Sequence, residues 1–219
     1  MKLKFCILLL LTAYVTLAFG QQKPAFWNEI QVFKKKDSLN APAKGSILFI
    51  GSSSFTKWTE PENVYKNYGA INRDFGGSTL VDVNFYVKNI VFPYEARQIV
   101  IYSGKNDIAS GSSAVETLNR FATLFTSIRN YQPNVPLVYI SMKQSPSRVK
   151  FLSTILHANS LIKEYMSHYK ATQFVDVDAK MLNNDGNLRP ELFLPDMLHM
   201  KQSGYDIWIK VLTSYLIKK

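Results

Sequence analysis

Two clusters far apart in the chain carry the residue types that ester hydrolysis needs. Three consecutive serines, Ser52, Ser53 and Ser54, offer hydroxyl groups that could attack a carbonyl. Near the C-terminus Asp196 stands three residues before His199 in "PDMLHM". A serine hydroxyl becomes a nucleophile when a base within hydrogen-bond reach takes its proton, and imidazole can be that base. The imidazole in turn needs an acceptor on its other nitrogen, to fix its tautomer and stabilise its cation. A spacing of three places Asp196 and His199 on one short turn, where the carboxylate can serve that ring. The tetrahedral intermediate of acyl transfer also needs donors aimed at its oxyanion. Candidates are the backbone N–H of Ser53, the unhindered N–H of Gly77 in "FGGS", and the side-chain amide of Asn106 in "GKND". Each feature alone is common: serines cap helices, and glycines and Asn-Asp pairs make turns. What matters is whether the fold brings them together.

Alternating short strands and helices would do so. "SILFI" is a continuous apolar run ending at a glycine, and "QIVIYSG" repeats that pattern. "YGAINRDF", "PLVYISMK" and "TQFVDVD" read as three further strands. Between them lie helical stretches, "STLVDVNFYVKNIV", "SSAVETLNRFATLFTSIRNYQP" and "FLSTILHANSLIKEYMSHY", with "SGYDIWIKVLTSYLIKK" closing the chain. In the second of these, Ser113 and Glu116 form a capping box, and Val115, Leu118, Phe121, Leu124, Phe125 and Ile128 form the apolar stripe. A helix over 22–43 precedes the first strand, with Phe26, Trp27, Ile30 and Phe33 on one face and "APAKG" ending it. Short apolar strands separated by helices imply a parallel sheet covered on both faces. Ligands in such sheets bind beyond the carboxyl ends of the strands. The serines, Gly76-Gly77, "GKND" and "PDMLHM" all follow strands, so all should meet at one edge.

Four blocks in this order resemble the SGNH hydrolases, also called GDSL-type esterases and lipases. "FIGSSS" matches the first block, "NRDFGGS" the second, "GKND" the third and "DMLH" the fourth, over a span from Ser46 to the C-terminus. The resemblance implies a three-layer α/β/α flavodoxin-like fold with a central parallel sheet of about five strands. It also implies hydrolysis of esters or O-acyl groups without a metal or other cofactor. By position it makes Ser53 the nucleophile and Asp196 and His199 the acid and base of the triad. Gly77, Asn106 and the Ser53 amide then form the oxyanion hole. The chain departs from the commonest motif in having Ser52 where Asp precedes the nucleophile. That Asp is not the triad carboxylate, but its replacement leaves Ser52 and Ser54 as rivals for the role of Ser53.

The rest of the composition bounds the setting. A chain of 219 residues, 47% hydrophobic and 19% charged, can bury a sizeable core. "MKLKFCILLLLTAYVTLAFG" has two lysines, an apolar run and small residues at its end, the layout of a signal peptide covering residues 1–20. The expected product is one domain over 21–219, exported to the periplasm or beyond, with no later segment able to span a membrane. Cys6 is the sole cysteine and lies in that leader, which excludes disulfides and thiolate metal sites from the rest. No His, Asp and Glu grouping has metal-ligand spacing. The net charge is +10, but the lysines are dispersed and export argues against nucleic acid as a partner. The expected substrate is an ester of a small molecule or a polysaccharide, with acetyl the favoured acyl group. Two alternatives are a lysophospholipase-type lipid esterase and a non-catalytic module that binds carbohydrate or envelope polymers. His157 and His168 read as helix-surface residues. Asp176 and Asp178 end the last strand, and Trp58 and Trp208 read as core or rim.

Overall fold

A computed structural model describes residues 23–58 and 61–218; the expected leader lies outside them. Five apolar runs pair as strands: β1 Ile47–Gly51, β2 Ala70–Asn72, β3 Gln98–Tyr102, β4 Leu137–Ile140 and β5 Thr172–Val175. Every pairing is parallel, and the order is β2-β1-β3-β4-β5. This is the expected three-layer α/β/α arrangement. The strand order reverses between β1 and β3, which opens a crevice at their carboxyl ends.

Because successive side chains in a strand point to opposite faces, each buried strand feeds two cores. Leu48, Ile50, Ile99, Ile101, Leu137 and Tyr139 enter one core. Ile47, Phe49, Val100, Tyr102, Val138 and Ile140 enter the other. Helices α1 Trp27–Leu39, α4 Leu80–Ile90, α6 Ala114–Tyr131 and α7 Leu152–Ser167 cover the first face. Two short helices follow β1, α2 Ser53–Thr56 and α3 Pro61–Val64, and α5 Lys105–Ala109 follows β3. The second face is covered chiefly by α8 Gln202–Leu212 through an aromatic cluster. Trp58 stacks on Tyr205 at 5.3 Å between ring centroids, and Trp208 lies 4.9 Å from Tyr102. Trp58 and Trp208 are therefore core residues.

Several elements differ from the sequence reading. The first helix is shorter than 22–43 and begins after Phe26, whose φ of 62° is left-handed. That turn places Trp27 at the surface, while Ile30 is buried and Phe26 and Phe33 pack against the core. β2 keeps only three residues of "YGAINRDF", because just beyond Asn72 the ladder to β1 thins to the N–H groups of Arg73 and Phe75, which donate to the Phe49 and Gly51 carbonyls. α4 starts at Leu80, capped by a Thr79–Asp82 box. The Ser113–Glu116 box is present on α6, but Val115 in its first turn is exposed and leaves the stripe. α8 ends at Leu212 and gives way to a 3-10 turn over Thr213–Tyr215.

Candidate active site

The serines sit at the mouth of the β1–β3 crevice, and Gly51 explains the tight approach. Its φ is 145°, and a Cβ there would lie 1.9 Å from the Tyr102 carbonyl oxygen. With glycine in place, the Ser52 N–H donates to that same oxygen at 3.1 Å. The chain then turns straight into α2. Ser52 occupies the cap position without a side-chain capping bond, and its carbonyl accepts the Phe55 N–H at 2.9 Å. Ser52 and Ser54 are buried, and only Ser53 presents its hydroxyl to His199, at 3.0 Å from Nε2.

The opposite wall is the turn from Leu194 to Met200. Asp196 Oδ2 meets His199 Nδ1 at 2.5 Å, while its Oδ1 accepts the N–H groups of Leu198 and His199, each at 2.9 Å. Burial acts to raise the Asp196 carboxyl, but the His199 ring and those two N–H groups outweigh it and hold it at about 2. The carboxylate is therefore ionised at neutral pH and fixes the ring by Nδ1. That is the geometry in which Nε2 can take a proton from Ser53 Oγ.

The two glycine and asparagine blocks close the site. Gly77 has a φ of 87°, a conformation that favours glycine, and lies exposed with open space where a Cβ would point. Among the described residues no acceptor takes the N–H of Ser53 or Gly77, so both remain available to a developing oxyanion. Asn106 Nδ2 donates to the Ser78 carbonyl at 3.0 Å, which ties the third block to the second and leaves the amide's other N–H. Ser78 Oγ returns to the Gly51 carbonyl at 3.0 Å. The fully buried Asp107 accepts from the Leu80 N–H and from Arg120, both at 2.8 Å, and so pins the start of α4, three residues after Gly77. All five site residues expected from the sequence thus lie around one crevice.

The model of the GDSL-like lipase/acylhydrolase family matches residues 52–207. The chain belongs to this family. A chicken (Gallus gallus) relative, platelet-activating factor acetylhydrolase IB subunit alpha2, is 25% identical over 172 residues, covering 73% of this chain and 70% of that one. The structure of a GDSL-like lipase from Bacteroides thetaiotaomicron is similar with a TM-score of 0.72 at 18% identity, over 85% of this chain and 96% of that one. The lipase/acylhydrolase from Enterococcus faecalis is similar at 0.60 and 15% identity, over 80% and 99%. These similarities in structure concern the fold.

This GDSL-like family member also holds groups near the site that the sequence reading passed over. Lys143 and Lys105 are buried, and among the described residues neither has a carboxylate at ion-pair distance. Lys105 donates to Ser145 Oγ; burial, then the nearby Lys143 and Arg148, push its pKa well down. Burial lowers Lys143 to about 8. Asp74 is buried beneath α2 and accepts from the Thr56 hydroxyl; burial pushes its carboxyl up to about 7. No sequence pattern marks these positions, since a lysine or aspartate beside a strand ordinarily faces solvent. Of the residues set aside, His157 and His168 are on the exposed surface of α7 or just past its end, and Asp176 and Asp178 hold the turn after β5 through N–H groups of Ala179 and Gln144. Among the described residues no three His, Cys, Asp or Glu side chains gather as metal ligands, and no helix is long and apolar enough to cross a membrane.

Proposed function

We propose that this chain is a serine-dependent carboxylic ester hydrolase that removes a short acyl group, acetyl above all, from a carbohydrate or a small ester. The observation that carries the reading is the run of contacts from Ser53 Oγ to His199 Nε2 at 3.0 Å and from His199 Nδ1 to Asp196 at 2.5 Å, beside Ser53 and Gly77 N–H groups that no acceptor takes among the described residues. In this reading His199 takes the Ser53 proton as Oγ attacks the ester carbonyl. The oxyanion is received by the N–H groups of Ser53 and Gly77 and by the Asn106 amide. His199 then passes the proton to the departing alkoxide, leaving an acyl-serine that a water, activated by the same ring, hydrolyses. Asp196 stays ionised and stabilises the imidazolium. The name of the chicken relative, an acetylhydrolase subunit, supports a short acyl group. The leader-like residues 1–20 support export.

The test is turnover of p-nitrophenyl acetate and of acetylated oligosaccharides, beside longer-chain esters and lysophospholipid. Ser53→Ala should lose on the order of 10⁴ to 10⁶ in kcat and keep its melting temperature. Near-wild-type turnover by Ser53→Ala, with loss in Ser52→Ala or Ser54→Ala, would overturn the assignment. Binding of oligosaccharide with no turnover of any ester would favour the non-catalytic module instead.

A further inference from the structure

The most unusual buried group outside the Ser53–His199–Asp196 chain is Lys143. It leaves the carboxyl end of β4 and is 1% exposed, with its ammonium 5.9 Å from the ring centroids of both Tyr102 and Phe193 and close to the buried Lys105. A buried ammonium without a carboxylate beside it costs stability, so its retention needs a reason. Its hydrogen bonds supply one. Nζ donates to the Leu198 carbonyl at 3.0 Å and reaches Ser54 Oγ at 3.4 Å. Leu198 lies between Asp196 and His199, and Ser54 follows Ser53. One side chain therefore touches both halves of the site from below.

The acid-base turn needs such an anchor. Met197, in the middle of it, has a φ of 54°, a left-handed conformation that a non-glycine residue keeps only where its surroundings hold it. On its N–H side the turn is held by Asp196. On its carbonyl side the Leu194 N–H closes the turn on the His199 carbonyl at 2.8 Å, and the segment after β4 holds the middle: Ser147 donates to the Met197 carbonyl through N–H at 3.1 Å and Oγ at 2.9 Å, and the Leu198 carbonyl accepts from Lys143 at 3.0 Å and, at a longer 3.5 Å, from Ser145 Oγ. Ser147 is exposed, and water can replace its bonds; Lys143 is beyond the reach of water.

We propose that Lys143 is a positioning residue that links the serine turn to the acid-base turn and so sets the contact between Ser53 Oγ and His199 Nε2. This rests on the hydrolase reading above. Lys143→Met removes the link while keeping an unbranched side chain of similar length. Misplacement of reacting groups by about 1 Å costs up to about 10²-fold. The Met variant should therefore lose about 10- to 100-fold in kcat, with KM within about twofold and a melting temperature equal to or above wild type. Labelling of Ser53 by a fluorophosphonate, which reads the activated hydroxyl without any ester substrate, should slow by the same factor. A role in folding alone would lower the melting temperature and spare kcat per folded molecule, and that result would overturn the proposal. So would kcat and labelling within about threefold of wild type. Should the Met variant not fold, Lys143→Leu, which likewise carries no donor, is scored by the same readouts. A wild-type chain that turned over no ester would sink the hydrolase reading, while its labelling rate against the variant would still score Lys143. A wild type that also took no label would overturn both.

Discussion

Asp196 does two separable jobs, and two substitutions should pull them apart. Its Oδ1 accepts the N–H groups of Leu198 and His199, and its Oδ2 meets His199 Nδ1. Asn at this position can keep an oxygen on the two N–H groups, but it then sets its –NH₂ against Nδ1. A donor there requires an unprotonated Nδ1, so the ring proton moves to Nε2 and the Ser53 hydroxyl faces an N–H where it needs a lone pair. Flipping the amide would aim its –NH₂ at two N–H donors at once, so that escape is closed. The loss for such a tautomer change is on the order of 10⁴ in kcat. Asp196→Ala leaves Nδ1–H without a protein partner, but the side chain it removes is 48% exposed, so a water can enter and accept that proton. Ala should therefore retain about tenfold more kcat than Asn. Stability should run the other way. Ala deserts two N–H groups, worth about 1–2 kcal/mol in a partly solvated turn, or roughly 3–6 °C in a domain of this size. Initial rates on p-nitrophenyl acetate, scaled to the folded fraction by circular dichroism, together with thermal melts, give both orders. An Asn variant within tenfold of wild type, or an Ala variant with the lower kcat, would refute the reasoning.

Asn106→Ala should cut kcat by about 10² to 10³ with KM little changed; because the amide also holds the Ser78 carbonyl, a modest fall in melting temperature should accompany it, and a fall in melting temperature with kcat unchanged would remove the oxyanion role. Asp74 titrates near 7 when folded and near 3.8 as an ordinary aspartate, so over that range the folded state holds a proton that the unfolded chain has released, and stability falls as pH rises from about 4 to about 7 before levelling off. Asp74→Asn lacks this loss, worth at most about 4 kcal/mol; its melting temperature relative to wild type should rise between pH 5 and pH 8, and a gap independent of pH would contradict the assignment. The proposed nucleophile is generated by His199 alone, so dialysis against a strong chelator should leave the rate unchanged; activity recovered only on adding a divalent ion would count against the mechanism.

The order of the four blocks was legible because each follows a strand of near-continuous apolar residues, and the buried strands of a parallel sheet read that way whatever packs on them. The choice among Ser52, Ser53 and Ser54 could be made only by family position, since nothing local distinguishes three adjacent hydroxyls. Distance does: only Ser53 Oγ reaches His199. Trp27 and Val115 do not fit the apolar pattern because periodicity does not register a left-handed residue at a helix start, and because the small Ala114 and the polar Thr117 take the buried positions beside Val115. Lys143 and Asp107 escaped for a different reason. Their burial depends on carbonyls and N–H groups from segments about 55 and 27 residues away, and no local pattern records such partners.

The groups of the crevice are divided unevenly along the chain. Ser53, Gly77 and Asn106 arrive with the first three strands, whereas Asp196 and His199 arrive together on one turn beyond the last. Between the sheet and that turn lies a small exposed hairpin, Asn183 to Asn187, closed by a Leu182–Leu188 bridge. A cut there leaves the whole sheet, with Ser53 and the proposed oxyanion donors, on one fragment. The other fragment carries the acid-base turn and α8, whose Tyr205 and Trp208 supply the adhesive surface. In the proposed mechanism one piece holds the reagent and the other its activator, and the aromatic face of α8 is the natural handle for complementation between them.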